Sequence, residues 1–505
     1  MFLKAGALSL ALLLASRLLG LLRESAQAAA FGTTGMGDVA VLMLTLPDWL
    51  TGVLASGALA YVLLPHWAGQ TPAQQAHTQG RVARWLLLAG ALTGLCLCIF
   101  QTQVIHLLAG GLPPALWPQA AQGVMWSAAA LPAALLAALW VTRLQHERDF
   151  TGLYAANLVV NGVLIFALYL IAGDALPVSV TTLLGLFLGL AISLRLLWLH
   201  TRLRAFAVTK GAAGAVPSPW PRAPLWLWAA LSAGLPLALP LVARSFASGA
   251  GEGGLVTFNY AWKLVELPLV LAVQLVATLA FPAITRAMAP MPDQAHATPA
   301  LTPEAVGAVR GTFLLAWTLA CAAAAALQVG APAIATVLFG WGRMSPGGLA
   351  TVAAWGAIGA WGLLPQSLLA VALTVLATLG RLHAVVAAYG MALAVLLVAG
   401  VWSEGDGAWL MRGLNVVLTL VAMVALLNLR PAGLRTRLPV ALLPWRAMTL
   451  PAGLLLGFAL VARRGWLPFF EPKSPLALLE SASAAIFIIA IAYLSLPEFR
   501  AALRR

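Results

Sequence analysis

The chain has 505 residues, 62% of them hydrophobic and only 9% charged, and its mean hydropathy is +0.94. A soluble domain carries roughly 25% charged residues, so this composition excludes a soluble globular fold and makes the bilayer the solvent for most of the surface. The net charge of +14 does not indicate a nucleic-acid partner, because the basic residues sit in short clusters between apolar runs, where membrane topology requires them.

A membrane-spanning helix needs about 20 mostly apolar residues, and about fourteen segments qualify. The first six cover roughly 5–30, 39–65, 85–109, 121–142, 153–172 and 178–199. The next six cover roughly 224–247, 257–281, 311–338, 348–373, 382–402 and 409–429, and the last two 444–462 and 475–496. Lys4, the apolar run after it and Ala26-Gln27-Ala28 have the outline of a cleavable signal peptide. Arg17, Arg23 and Glu24 interrupt the part that should be apolar, so the segment reads as a retained first span. Span 2 contains Leu46-Pro47 and Leu64-Pro65, and span 8, six spans later, contains Leu267-Pro268 and Phe281-Pro282. Proline-interrupted spans at corresponding positions point to an internal repeat of the transporter kind. On that reading 1–200 form one lobe (spans 1–6), 201–223 a basic loop, 224–430 a second lobe (spans 7–12), and 431–505 two added spans with a basic tail.

With both termini cytoplasmic, the cytoplasmic connections and tails collect about nineteen Lys and Arg, among them Arg81, Arg84, Arg148, Arg202, Arg310 and Arg500. The other side holds about five: Arg343, Arg412, Arg463, Arg464 and Lys473. The connection His200–Arg222 reads as a basic stretch lying on anionic headgroups. Cys96, Cys98 and Cys321 all fall in apolar runs, so they imply apolar packing rather than a disulfide framework or a metal site. Glu404-Gly405-Asp406 reads as an ordinary turn.

Inside the spans stand Arg17, Arg23, Arg195, Arg244 and Lys263, with Glu24, Asp38 and Glu266 as acidic companions. A charge at the centre of a membrane helix costs on the order of 2.5–3.5 kcal/mol, so such residues face a bundle interior or a wet cavity. Arg17 and Glu24 are seven apart and share a helix face, with Arg23 off it. Lys263 and Glu266 are three apart and can pair. Asp38 opens span 2, where a carboxylate suits the helix N-terminus. Arg195 snorkels at the cytoplasmic end of span 6, and Arg244 either snorkels or lines a cavity. An excess of Arg and Lys suits an anionic, phosphate-bearing substrate. Pro47, Gly52, Gly57, Pro236, Pro240 and Pro268 supply places to bend.

Ser16-Arg17-Leu18-Leu19-Gly20-Leu21-Leu22-Arg23-Glu24, followed by Phe31-Gly32, Asp38, Leu46-Pro47, Gly57-Ala58 and Pro65, resembles the opening of the lipid II flippases, the MurJ (MviN) family. Tyr260-Ala261-Trp262-Lys263-Leu264-Val265-Glu266-Leu267-Pro268 and Leu338-Phe339-Gly340-Trp341-Gly342-Arg343 continue the likeness. The resemblance implies an all-α polytopic exporter fold with two six-helix lobes in a V and two C-terminal helices that form a groove for a polyprenyl tail. It implies a flippase, not an enzyme, carrying undecaprenyl-pyrophosphate-linked peptidoglycan precursor to the outer leaflet of the bacterial inner membrane. Arg17, Arg23 and Lys263 would bind the substrate, with Arg244 compensating for missing cations, and Glu24, Asp38 and Glu266 would act in gating or cavity electrostatics.

The chain departs from the family pattern in places. Thr51 and Gly52 stand where relatives carry span 2 cations, Ser56 where they carry Glu, and Lys263 where they carry Arg. Spans 7 and 11 contain no Asp or Glu, which argues against the sodium coupling of some members and leaves coupling to membrane potential, with no cofactor. The expected partners are the lipid substrate and anionic membrane lipids, and the expected state is a monomer. A paralogous flippase for another polyprenyl-linked glycan is the alternative. A membrane-embedded glycosyltransferase is disfavoured by the short outer loops, a drug antiporter by the net basic cavity, and a wall-synthesis scaffold stays open.

Overall fold

The computed structural model describes residues 2–173, 177–206, 220–274, 276, 303–379, 381–429, 442–472 and 474–504. Phe281-Pro282, most of the basic connection after span 6 and residues 430–441 lie outside them.

The described chain is helical throughout. In order the helices are α1 (Phe2–Phe31), α2 (Gly35–Val53), α3 (Leu59–Ala68), α4 (Pro72–Ile99), α5 (Gln101–Ala109), α6 (Trp117–His146), α7 (Phe150–Ala172), α8 (Val180–Arg204) and α9 (Ala223–Ala247). There follow α10 (Gly254–Pro268), α11 (Pro303–Phe339), α12 (Pro346–Gly359), α13 (Leu363–Thr378), α14 (His383–Val401), α15 (Gly407–Leu427), α16 (Trp445–Arg463), α17 (Pro475–Ser495) and α18 (Pro497–Arg504). Twelve helical segments among the described residues are long and apolar enough to cross a bilayer. The charged α1 and the partly described span beginning at Gly254 are the other two of the fourteen expected.

The chain divides into two compact units, Met1–Thr257 with Phe339–Ser345, and Phe258–Leu338 with Pro346–Arg505. In the first unit, buried Phe31, Met43, Leu164, Leu168, Leu184 and Leu188 from spans 1, 2, 5 and 6 form one core. A second core joins Leu59, Leu63, Trp67, Val82 and Leu139. α4 lies close on α6 because Gly90 and Gly94 leave room for the backbone of Pro132 and Ala128. The outer face of α4 exposes Trp85, Leu88, Leu92, Leu95 and Ile99. In water that face would be a liability, and in lipid it costs nothing.

In the second unit α17 packs on α11 at its kink. Gly330 leaves the helical conformation (φ −125°), and Ser481 Oγ donates to Ala326 O at 2.8 Å. Leu314, Met448, Ala492 and Phe499 bury the contact of the C-terminal helices with α11.

Several local expectations hold. Glu404 and Gly405 take positive φ, and Asp406 caps α15 through Ala408 N–H. Cys321 is buried in protein, but Cys96 is exposed on the outer face of α4. Apolar surroundings there are lipid rather than core. Asp149, in the connection before α7, accepts Gly152 N–H at 3.0 Å and takes both Nε and Nη2 of Arg202 at 2.8 and 2.9 Å. Burial alone would raise its carboxyl, but these contacts hold it below the usual carboxylate range.

Candidate functional site

Arg23 is the centre of a charge cluster in the first unit. It lies eight residues, about 12 Å, before the end of α1, and its side chain is 13% exposed. Nη2 donates to Glu24 Oε1 at 2.9 Å, and Nη1 pairs with Asp48 Oδ2 at 3.1 Å. Glu24 is buried, whereas the Asp48 side chain is 53% exposed. Arg195 on α8 sits within electrostatic reach of Asp48, and its buried Nε has no hydrogen-bond partner among the described residues. Arg17 is exposed. Two arginines, Arg23 and Arg195, thus face two carboxylates, Glu24 and Asp48, and Arg17 adds a further cation on α1 outside that cluster, within electrostatic reach of Tyr154. Desolvating an isolated ion costs several kcal/mol, and Arg23, 13% exposed, meets that cost with two carboxylate partners.

This arrangement corrects three expectations. Arg23 is not separated from Glu24 by helix face, because its guanidinium reaches the neighbouring carboxylate and a second helix together. Arg195 does not simply snorkel, because it faces the charge of Asp48. Asp48 itself was not among the expected companions, although the rule that singled out the others applies equally to a carboxylate inside an apolar span.

Asp38 is 2% exposed and does not merely serve its own helix. Its Oδ2 accepts Gly253 N–H at 2.7 Å and its Oδ1 accepts Val256 N–H at 2.8 Å, so it caps the start of α10. Glu252 returns the favour: its Oε1 accepts Gly35 N–H, at the start of α2, at 3.0 Å. Each helix N-terminus therefore receives a carboxylate from beside the other, satisfying orphan donors and the positive end of the dipole together. Gly253 is needed there, since its φ is +82° and a Cβ would lie 2.1 Å from Thr33 O. Nearby, Arg343 N–H donates to Ala29 O at 2.9 Å, holding the 339–345 loop on the end of α1.

In the second unit Lys263 Nζ pairs with Glu266 Oε2 at 2.7 Å, as their spacing predicts, and both side chains are about one third exposed. Arg244, in the last turn of α9, is half-buried.

Span 2 is interrupted where bending was expected. Pro47 is buried inside α2, and a π-helical turn, Leu54–Ala58, carries Gly57 between α2 and α3. Gly57 presses on α9, where a Cβ would lie 2.1 Å from Ala233 Cβ. Gly52 faces Leu237. Span 8 changes to a π-helix, Leu269–Gln274, immediately after Pro268. Pro236 and Pro240 lie within α9 without ending it. The described residues contain no group of three or more His, Cys, Asp or Glu suited to a metal ion.

A family model described as lipid II flippase MurJ matches residues 27–428. Among solved structures, a lipid II flippase MurJ in an inward closed conformation superposes with a TM-score of 0.77 at 12% identity, covering 99% of this chain and all of that one. A multidrug resistance MATE family transporter of the MOP superfamily, inward-facing, gives 0.61 at 15% identity, over 82% of this chain and 94% of that chain. A MOP superfamily transporter from Pyrococcus furiosus gives 0.54 at 15% identity, over 88% and 96%. At such identities these likenesses speak to the fold. No curated protein matches the chain significantly.

Proposed function

Because the chain belongs to the lipid II flippase MurJ family, whose model spans most of its length, we infer that it moves the undecaprenyl-diphosphate-linked peptidoglycan precursor between membrane leaflets by alternating access. The observation that carries the reading to particular residues is the Arg23 cluster. A guanidinium already forked between two carboxylates is set to exchange one of them for a diphosphate. Asp48, the more exposed partner, is the one displaced. Exposed Arg17 adds a second cation on the same helix. Arg244 and Lys263 are further substrate-binding cations, with Lys263 held by Glu266.

The Asp38–Glu252 exchange of caps acts as the gate element. Parting the starts of spans 2 and 8 strips both helix N-termini of their carboxylates, so opening on that side carries a defined cost that substrate or membrane potential must offset. The chain lies in the bacterial cytoplasmic membrane with both termini inside, as a monomer among anionic lipids. Membrane potential drives the cycle rather than sodium: about 2.3 kcal/mol is available per elementary charge moved through 100 mV.

One observation favours a second reading. Thr51 and Gly52 stand where the family carries cations, and the remaining Arg23 is internally paired. A paralogue carrying a different polyprenyl-linked glycan would show both features. Complementation separates the two. In a host depleted of its own lipid II flippase, this chain restores growth, and Arg23→Ala or Lys263→Ala abolishes rescue. A well-expressed wild-type chain that gives no rescue favours the paralogue.

A further inference from the structure

Arg195 is the member of the charge cluster that no direct contact accounts for. Leu44 of α2 and Ala191 of α8 lie in the same buried core. Asp48 and Arg195 each follow four residues later, one turn along the same helix face. The two helices form spans 2 and 6 and so run in the same direction, which sets Asp48 and Arg195 beyond the same end of that core. Arg195 is within electrostatic reach of Asp48. Its guanidinium nevertheless makes no hydrogen bond or ion pair among the described residues, and its Nε is buried. An arginine carries five N–H donors and a charge it cannot shed. Inside a span, such a group is costly to keep idle beside a carboxylate that another arginine holds.

Asp48 is free to move between the two arginines. Only its Oδ2 is engaged, on Arg23 Nη1 at 3.1 Å, and its side chain is 53% exposed. A helical aspartate has two favourable χ1 wells, so the carboxylate can change neighbours without a shift of the backbone. Glu24, the other partner of Arg23, is buried and fixed as its sequence neighbour.

We propose that Arg195 receives the Asp48 carboxylate when a diphosphate takes its place on Arg23. Arg195 is then a positioning residue, which touches Asp48 and not the substrate. The inference rests on the reading of Arg23 as the diphosphate site and adds how that site is vacated and reset. Once Asp48 has crossed to Arg195, no carboxylate points at the incoming phosphate, where like charges would repel. No arginine of the cluster is left without an anion either. On release, the return of Asp48 to Arg23 competes with the diphosphate and favours its departure.

A double-mutant cycle on the full-length protein in detergent micelles, with farnesyl diphosphate as the titrated probe, tests this. Arg195→Gln weakens binding by about three- to fivefold, the upper part of what a half-exposed ion pair supplies. Arg195→Lys, which keeps the charge, retains most of the affinity. In the Asp48→Asn background there is no carboxylate to relocate, and Arg195→Gln changes affinity by less than about twofold. A loss of equal size in both backgrounds overturns the proposal, because a direct ligand or a structural residue would give that result. No loss in either background overturns it too. Arg23→Ala distinguishes this from failure of the underlying reading: it abolishes binding in both backgrounds, and probe binding indifferent to Arg23→Ala overturns the diphosphate site and the transfer together.

Discussion

Replacing Asp38 by alanine tests the reciprocal capping most sharply. Its carboxylate is 2% exposed and accepts two backbone N–H groups at 2.7 and 2.8 Å. Hydrogen bonds to a charged group contribute about 1.5–3 kcal/mol each, and removing the charge also removes its desolvation cost. Loss of a helix cap typically costs about 0.5–2 kcal/mol. The double acceptance and burial place Asp38→Ala near the top of that range, about 2 kcal/mol, and Asp38→Asn, which keeps one acceptor, near half. The protected amides are those of Gly253 and Val256. Hydrogen exchange in nanodiscs, read on peptides covering 251–258, should therefore quicken by about thirtyfold in Asp38→Ala, the equivalent of about 2 kcal/mol. Glu252→Gln, at an exposed carboxylate, should quicken exchange at Gly35 only a few-fold. Unchanged exchange at 251–258 in Asp38→Ala would refute the capping argument, whatever the variant does to transport.

Three further outcomes follow from the packing and charges. Gly57→Ala drives a methyl group into Ala233 and should cost about 1–3 kcal/mol of stability by thermal denaturation, with Ala233→Gly in the same chain recovering most of it. Asp48→Asn releases one partner of Arg23; because Asp48 is half-exposed, the pair is worth about 0.2–1 kcal/mol, so binding of a polyprenyl diphosphate should tighten by up to about fivefold in a titration. The carboxyl of Asp149 is held low by Arg202, so its contribution to stability is present above the unfolded carboxylate value of about 4 and is lost as pH falls through the lower folded value. The difference in melting temperature between wild type and Asp149→Asn should accordingly be full at pH 6 and shrink as the pH is taken below 4.

Span positions were legible because a twenty-residue apolar window is a strong signal, and the observed helix ends fall within a few residues of the expected ones in most spans. α1 stood out by its charges for the same reason. The side-chain partners were less legible. Helix-face arithmetic places Cβ atoms, whereas the Arg23 guanidinium lies several bonds farther out and reaches both its sequence neighbour and a second helix. Asp38 meets backbone more than 200 residues away. Only the lone Glu252 in the run Gly251-Glu252-Gly253-Gly254 hinted that a turn there would supply a carboxylate to something. That Arg195 faces Asp48 depends on how spans 2 and 6 pack, which periodicity within each span does not encode.

The leaflet in which lipid II accumulates tests the central claim most directly. In spheroplasts of a host depleted of its own flippase, lipid II is measured by its cleavage with an externally added hydrolase. The account predicts that expressing this chain returns lipid II to the externally cleavable pool and that Arg23→Ala, inserted at the same level, does not. A correctly inserted wild-type chain that leaves lipid II inaccessible, or an Arg23→Ala chain that restores access fully, would contradict it.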